Sequence, residues 1–114
     1  MKVDKLNPKP NGKIDFNFMK LKGLTSEKGC YVLTSFESEI IYIGLANNLQ
    51  RRLLEHFDSE KGKVVTKYGK VFYVYFVELI KEVDLGKTER GWINQFEIIN
   101  GELPPLNKVR SPVS

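Results

Sequence analysis

The side chain that most needs a chemical explanation is Glu89. On a helical projection of about 100° per residue it falls inside the arc of Leu85, Trp92, Ile93, Phe96 and Ile99, so a carboxylate sits in a core-facing stripe. A buried, unpaired carboxylate costs several kcal/mol of desolvation and should gain a proton, a cationic partner or a metal ion. On the residues alone two readings stand. Glu89 reaches back to the surface or to a nearby lysine, or it is a ligand for a hard divalent cation, because Mg2+ is commonly held by one or two carboxylates with waters and a substrate phosphate. A second constellation is Arg52 and His56, one turn apart on a helix whose apolar arc is Leu49, Leu53, Leu54 and Phe57. Both polar groups are expected on the flank of that arc, where core meets solvent.

Other chemistries are excluded by counting. Cys30 is the only cysteine and His56 the only histidine, so there is no intramolecular disulfide, no three-ligand zinc centre of the usual kind and no signal for a Cys-His-Asn triad. The phosphate-cradling patterns GxxxxGK[ST] and GxGxxG are absent. A two-metal nuclease cluster needs several converging acids, whereas the apolar elements offer only Glu89. Any hydrolysis would use one metal.

These groups have to be positioned by a single domain, since the chain has 114 residues. Its 41% hydrophobic and 28% charged composition is that of a globular protein able to bury one modest core. No apolar run is long enough for a membrane span, and MKVDKLNPKP has no signal-peptide character, so a cytoplasmic protein is expected. The net charge of +4 is localised: residues 1–28 carry seven lysines against Asp4, Asp15 and Glu27, and the remainder sums to zero. This lysine-rich arm reads either as a polyanion-attracting segment or, more simply, as a solvated, solubilising tail.

The prolines of LNPKPNGK make the first dozen residues extended or looped. Cys30–Thr34 and Glu39–Gly44, separated by Ser35 to Ser38, predict a central hairpin covered on both faces. ANNLQRRLLEHF then predicts a helix capped by Asn47 or Asn48, DSEKGKVVTKYGK a loop with room for a short helical turn, and VFYVYFVEL a third, buried strand. The last helix should run from about Asp84 to Asn100, stopped by Gly101, before Pro104 and Pro105 impose an extended return.

With these elements in order, Gly29-Cys30-Tyr31 followed by Tyr42-Ile43-Gly44 resembles the paired signature tripeptides of the GIY-YIG nuclease superfamily. Arg52 eight residues after Gly44, His56 one turn later, Glu89 in TERGWINQF and Asn107 in PPLNKV match the remaining positions of that pattern, from Gly29 to about Val109. The resemblance implies an α+β (α/β) fold, a small three-stranded antiparallel sheet flanked by helices in the order β-β-α-β-α. It divides the chain into an arm (1–28), a nuclease domain (29–109) and a tail (110–114).

By the same resemblance the activity is metal-dependent hydrolysis of phosphodiester bonds in double-stranded or branched DNA, with one Mg2+ or Mn2+ on Glu89. Tyr31 would be the general base, its pKa lowered by the cation and Arg52. Tyr42 would orient water or phosphate, Arg52 would neutralise charge on the transition state with its planar fork, and His56 would relay a proton or bind phosphate. Gly29, Gly44 and Asn107 would support the site. Many relatives carry lysine where this chain has Leu45, so phosphate contacts should come from Arg51 or from Lys61, Lys63, Lys67 and Lys70. Cys30, in mid-tripeptide, should face away from Tyr31. The resemblance leaves room for a DNA-binding partner protein and for any oligomeric state. A competing reading keeps the nuclease scaffold as a catalytically weak module that binds nucleic acid or protein.

Overall fold

A computed structural model describes residues 1–78 and 84–107. The expected domain boundary at residue 109, the 110–114 tail and Leu79 of the third predicted strand lie outside the described residues. Strands β1 (Gly12–Asp15), β2 (Gly29–Thr34), β3 (Ile40–Ala46) and β4 (Tyr73–Glu78) form one antiparallel sheet in the order β1-β4-β2-β3. Helices α1 (Phe18–Lys22), α2 (Leu49–Asp58) and α3 (Leu85–Asn100) flank it. The α+β architecture agrees with the sequence expectation, with four strands in place of three.

The fourth strand comes from the arm. β1 is four residues long and pairs only with β4, from Gly12 opposite Phe76 to Asp15 opposite Tyr73. Glycine, lysine and aspartate at three of its four positions hide it from a propensity reading. The solvated-tail reading of the arm is therefore overturned. Val3 and Leu6 are buried in the core, the Met1 ammonium pairs with Glu39 at 2.8 Å, and Trp92 Nε1 donates to the Pro8 carbonyl at 2.8 Å. The lysines of residues 1–28 remain exposed, so the arm's charge faces solvent while its apolar residues hold it down.

Every residue of β2 is buried, which explains why it reads as an unbroken apolar run. Its alternate side chains enter two cores. Cys30 and Val32 join Ile43, Trp92, Ile93 and Phe96 beneath α3, whereas Tyr31 and Leu33 join Leu49 and Leu53 beneath α2. β3 is an outer strand of the sheet rather than a central one. Its free side is covered by the returning chain, where the Leu106 amide donates to the Ile41 carbonyl at 3.0 Å.

The helix ends follow from their caps. Asn48 Oδ1 accepts the Arg51 amide at 3.0 Å to start α2, and Asp84 Oδ1 accepts the Lys87 amide at 3.0 Å to start α3. Gly101, at φ 76°, ends α3 in the left-handed conformation. Leu85, Glu89, Trp92, Ile93 and Phe96 form the buried stripe of α3. Ile99, expected in that stripe, is 63% exposed.

Candidate active site

The β2–β3 register, Tyr31 opposite Gly44 and Leu33 opposite Tyr42, brings both phenols to the α2 face of the sheet. Gly44 is required there by close approach. A Cβ at this position would lie 2.5 Å from Cζ and 2.6 Å from Oη of Tyr31, and 2.8 Å from Cε1 of Tyr42. Gly29 is similarly confined, since its Cβ would lie 2.5 Å from Leu49 Cδ1 and 2.6 Å from the Val77 carbonyl. Both signature glycines thus let aromatic or helical side chains pack directly on backbone.

His56 comes up from α2 to meet the phenols. Tyr31 Oη lies 2.6 Å from His56 Nε2, and the Tyr42 ring centroid is 5.2 Å from the imidazole and 5.9 Å from the Tyr31 ring. His56 is 6% exposed, so it belongs to the core rather than the expected interfacial flank. Its apolar neighbours leave a polar group there only because the phenol supplies a hydrogen bond. Burial, then the Lys61 and Arg52 charges, lower the imidazole pKa to about 4. At neutral pH the ring is uncharged, and its Nε2 shares a hydrogen bond with the Tyr31 hydroxyl.

Tyr31 itself is fully buried, and burial followed by the neighbouring Tyr42 phenol holds its pKa well above 10; Arg52 opposes this without overcoming it. The protein groups around Tyr31 thus raise its pKa, so the lowering expected of it as a base would have to come from the cation. Its hydroxyl is hydrogen-bonded to His56 and out of contact with solvent. Tyr42 is the half-buried phenol, and the Lys61 ammonium stands 4.1 Å from its ring centroid.

Outside this trio lies an open depression of about 510 Å³ lined by Arg52, Glu55, His56, Ser59, Glu60 and Lys61. Arg52 is exposed, its Nε 3.4 Å from Glu55 Oε1, an ion pair weak enough in solvent for a phosphate to replace. Lys61, expected only as part of a basic loop, reaches the Tyr42 ring because the 3-10 turn Glu60–Gly62 follows α2 directly. The short spacing from His56 to Lys61 was the available signal. Of the other basic residues, Arg51, Lys63 and Lys70 are exposed outside this depression, and Lys67 pairs with Glu102.

Glu89 is 5% exposed, as its place in the stripe requires, but α3 carries it against the opposite face of the sheet from Tyr31 and Tyr42. Its neighbour is Cys30, whose thiol donates to the Leu85 carbonyl at 3.0 Å and does face away from Tyr31. Burial first, and the Glu89 charge second, push that thiol up to about 12, so it stays protonated and offers no thiolate to a soft metal. Among the described residues no three His, Cys, Asp or Glu side chains form a metal-binding group. What remains beside the sheet is a carboxylate oxygen, the donor type of Mg2+ and Mn2+, which complete their shells with water and phosphate. Asn107 acts from the return segment. Its Oδ1 accepts the Ile43 amide and its Nδ2 donates to the Ile43 carbonyl, both at 2.9 Å, fixing β3 between Tyr42 and Gly44.

A family model described as the GIY-YIG catalytic domain matches residues 27–101. The chain is also similar to proteins named UvrABC system protein C. It is 35% identical over 71 residues to that of Mycoplasmoides gallisepticum, covering 60% of this chain and 12% of the relative. It is 30% identical over 82 residues to that of Mycoplasmopsis agalactiae, covering 68% and 14%. For Anaeromyxobacter sp. the figures are 26% over 98 residues, covering 82% and 13%. The chain thus spans about one eighth of the length of these relatives. Among the described residues no helix is long and apolar enough to cross a membrane.

Proposed function

Since the chain belongs to the GIY-YIG family, its residues 27–101 matching that catalytic domain, we propose that it is an endonuclease hydrolysing phosphodiester bonds of DNA. The observation that carries this reading is the cluster of Tyr31, Tyr42 and His56 beside a solvent-open depression that His56, Arg52 and Lys61 line.

In this proposal Arg52 and Lys61 take the scissile phosphate, Arg52 exchanging Glu55 for phosphate oxygens and opposing the charge that builds in the transition state. Tyr42, the half-buried phenol, acts as a phenolate after releasing its own proton to solvent and accepts the proton of the attacking water. Tyr31 and His56 work as a pair that holds the Tyr42 ring, with the buried Tyr31 hydroxyl hydrogen-bonded to a neutral imidazole. Gly44 keeps the backbone close to both rings, and Asn107 fixes the strand that bears Tyr42. Glu89 would hold one Mg2+ or Mn2+, which supplies positive charge to the departing oxygen. The substrate would lie in the open depression beside α2. By analogy with the UvrABC system protein C relatives, a partner protein or further domain would choose the site of cutting.

Incubation with supercoiled plasmid and Mg2+ tests the reading. Nicking by the wild-type chain, its loss in EDTA and its loss in Glu89→Gln and Tyr42→Phe are expected; no nicking, or undiminished nicking by Glu89→Gln, defeats it. One observation favours the alternative of a binding module: Glu89 packs on the opposite face from the phenols. That alternative predicts DNA binding that falls steeply with salt and no cleavage under any divalent cation.

A further inference from the structure

At the hairpin end of the sheet, remote in the fold from the α2 depression, the chain exposes a row of aromatic rings. Phe36, in the turn between β2 and β3, is 64% exposed, and Phe72, just before β4, is 47% exposed. Their centroids lie 4.9 Å apart edge to face, and Phe36 stacks on Tyr73 at 6.1 Å. Tyr75 continues the row 6.4 Å from Tyr73. Lys13 of β1 stands over it, its ammonium 4.1 Å from the Tyr73 centroid and 5.5 Å from that of Tyr75. Beyond Tyr75 the row opens into a cavity of about 320 Å³ lined by Lys2, Lys9, Pro10 and Ser38, with Asp4 the acidic side chain of that lining.

Phenylalanine pairs with this much open ring surface are not needed by either core, neither of which includes Phe36 or Phe72. We propose that this row is a stacking platform for unpaired bases of single-stranded DNA, with Lys13, Lys2 and Lys9 taking the intervening phosphates. Two physical arguments select this occupant. The open rings of Phe36 and Phe72, beside the ammonium groups of Lys13, Lys2 and Lys9, match the two chemistries of a single strand, a base and a phosphate. A duplex keeps its base faces stacked inward and cannot use the rings, and an apolar protein partner would have to desolvate lysines at the border of the patch. The arm, held down by Val3 and Leu6, brings Lys2 and Lys9 to the cavity at the end of this row.

The choice of DNA rests on the nuclease reading above, but binding here uses none of the cleavage residues. Fluorescence anisotropy in EDTA, with labelled fifteen-nucleotide oligodeoxythymidylate and a duplex of equal length, separates the two. The expected result is tighter binding of the single strand by the wild-type chain. Phe36→Ala should weaken it about fivefold or more, Phe36→Trp should retain it, and the duplex affinity should be unchanged. Lys13→Ala should lower both the affinity and its salt dependence. Phe36 is exposed in a turn, and an unchanged thermal transition confirms that the variant is folded. Equal binding of both probes, or single-strand affinity unchanged in both Phe36→Ala and Lys13→Ala, would overturn the proposal. So would self-association of the wild-type chain that Phe36→Ala abolishes, because a second copy would then be the occupant. Loss of the platform leaves plasmid nicking in place, whereas failure of the nuclease reading leaves stacking in place.

Discussion

Acidification should expose the energetic role of the Tyr31–His56 pair. The imidazole has a folded pKa of about 4 against an ordinary 6.5, so between those values the unfolded chain binds a proton that the folded chain refuses. The contribution is complete above about pH 6.5 and is lost as the pH falls towards 4. The difference corresponds to about 3 kcal/mol, accumulating at up to about 1.4 kcal/mol per pH unit. For a small domain this is a large share of a total near 5–15 kcal/mol. The groups facing His56 are Tyr31, Tyr42, Lys61 and Arg52. Urea unfolding from pH 7.5 to pH 4, on the wild-type chain and on His56→Gln, isolates the effect. Glutamine does not titrate, and the carboxylates shared by both proteins cancel in the comparison. The advantage of the wild type over the variant should shrink by about 3 kcal/mol over this range. Parallel stability curves would refute the reasoning, as would an imidazole resonance that titrates with a midpoint near 6.5.

Gly44→Ala should cost about 1–3 kcal/mol, because its methyl group meets both tyrosine rings and the backbone has no free space to shift; a Tm equal to that of the wild type would contradict this packing. Arg52→Ala should leave stability within about 0.5 kcal/mol, since the side chain is exposed, while lowering nicking about 100-fold or more. Normal turnover by this variant would remove Arg52 from the site. Leu6→Ala should cost about 2–5 kcal/mol although it lies in the arm, and a thermal melt decides whether residues 1–11 belong to the fold or only to binding.

The main elements are legible in the sequence because their signals are local. β2 and β3 are short apolar runs beside glycine, α2 and α3 carry Asn48, Asp84 and Gly101 as caps, and the apolar spacing of α3 picks out Glu89 as buried. Features that depend on distant pairing escape. β1 exists because β4 offers it a partner, not because Gly12–Asp15 favours a strand. His56 is read as interfacial because projection on one helix does not show the Tyr31 hydroxyl waiting above it. Tyr31 and Tyr42 are indistinguishable as strand tyrosines until the register seals one under α2 and leaves the other half open. The side of the sheet on which Glu89 sits is likewise a property of chain path, invisible to a helical wheel.

The hold of Asn107 on both backbone groups of Ile43, with the Leu106 amide on Ile41, has a colloidal consequence. An apolar outermost strand with bare amides and carbonyls is a template for another chain, and repeated pairing of that kind leads to fibrils. Here the polypeptide itself occupies the template, while the opposite border of the sheet is only the four-residue β1 bearing charged Lys13 and Asp15. Truncation before Pro104 should therefore convert a well-behaved domain into one that precipitates on concentration.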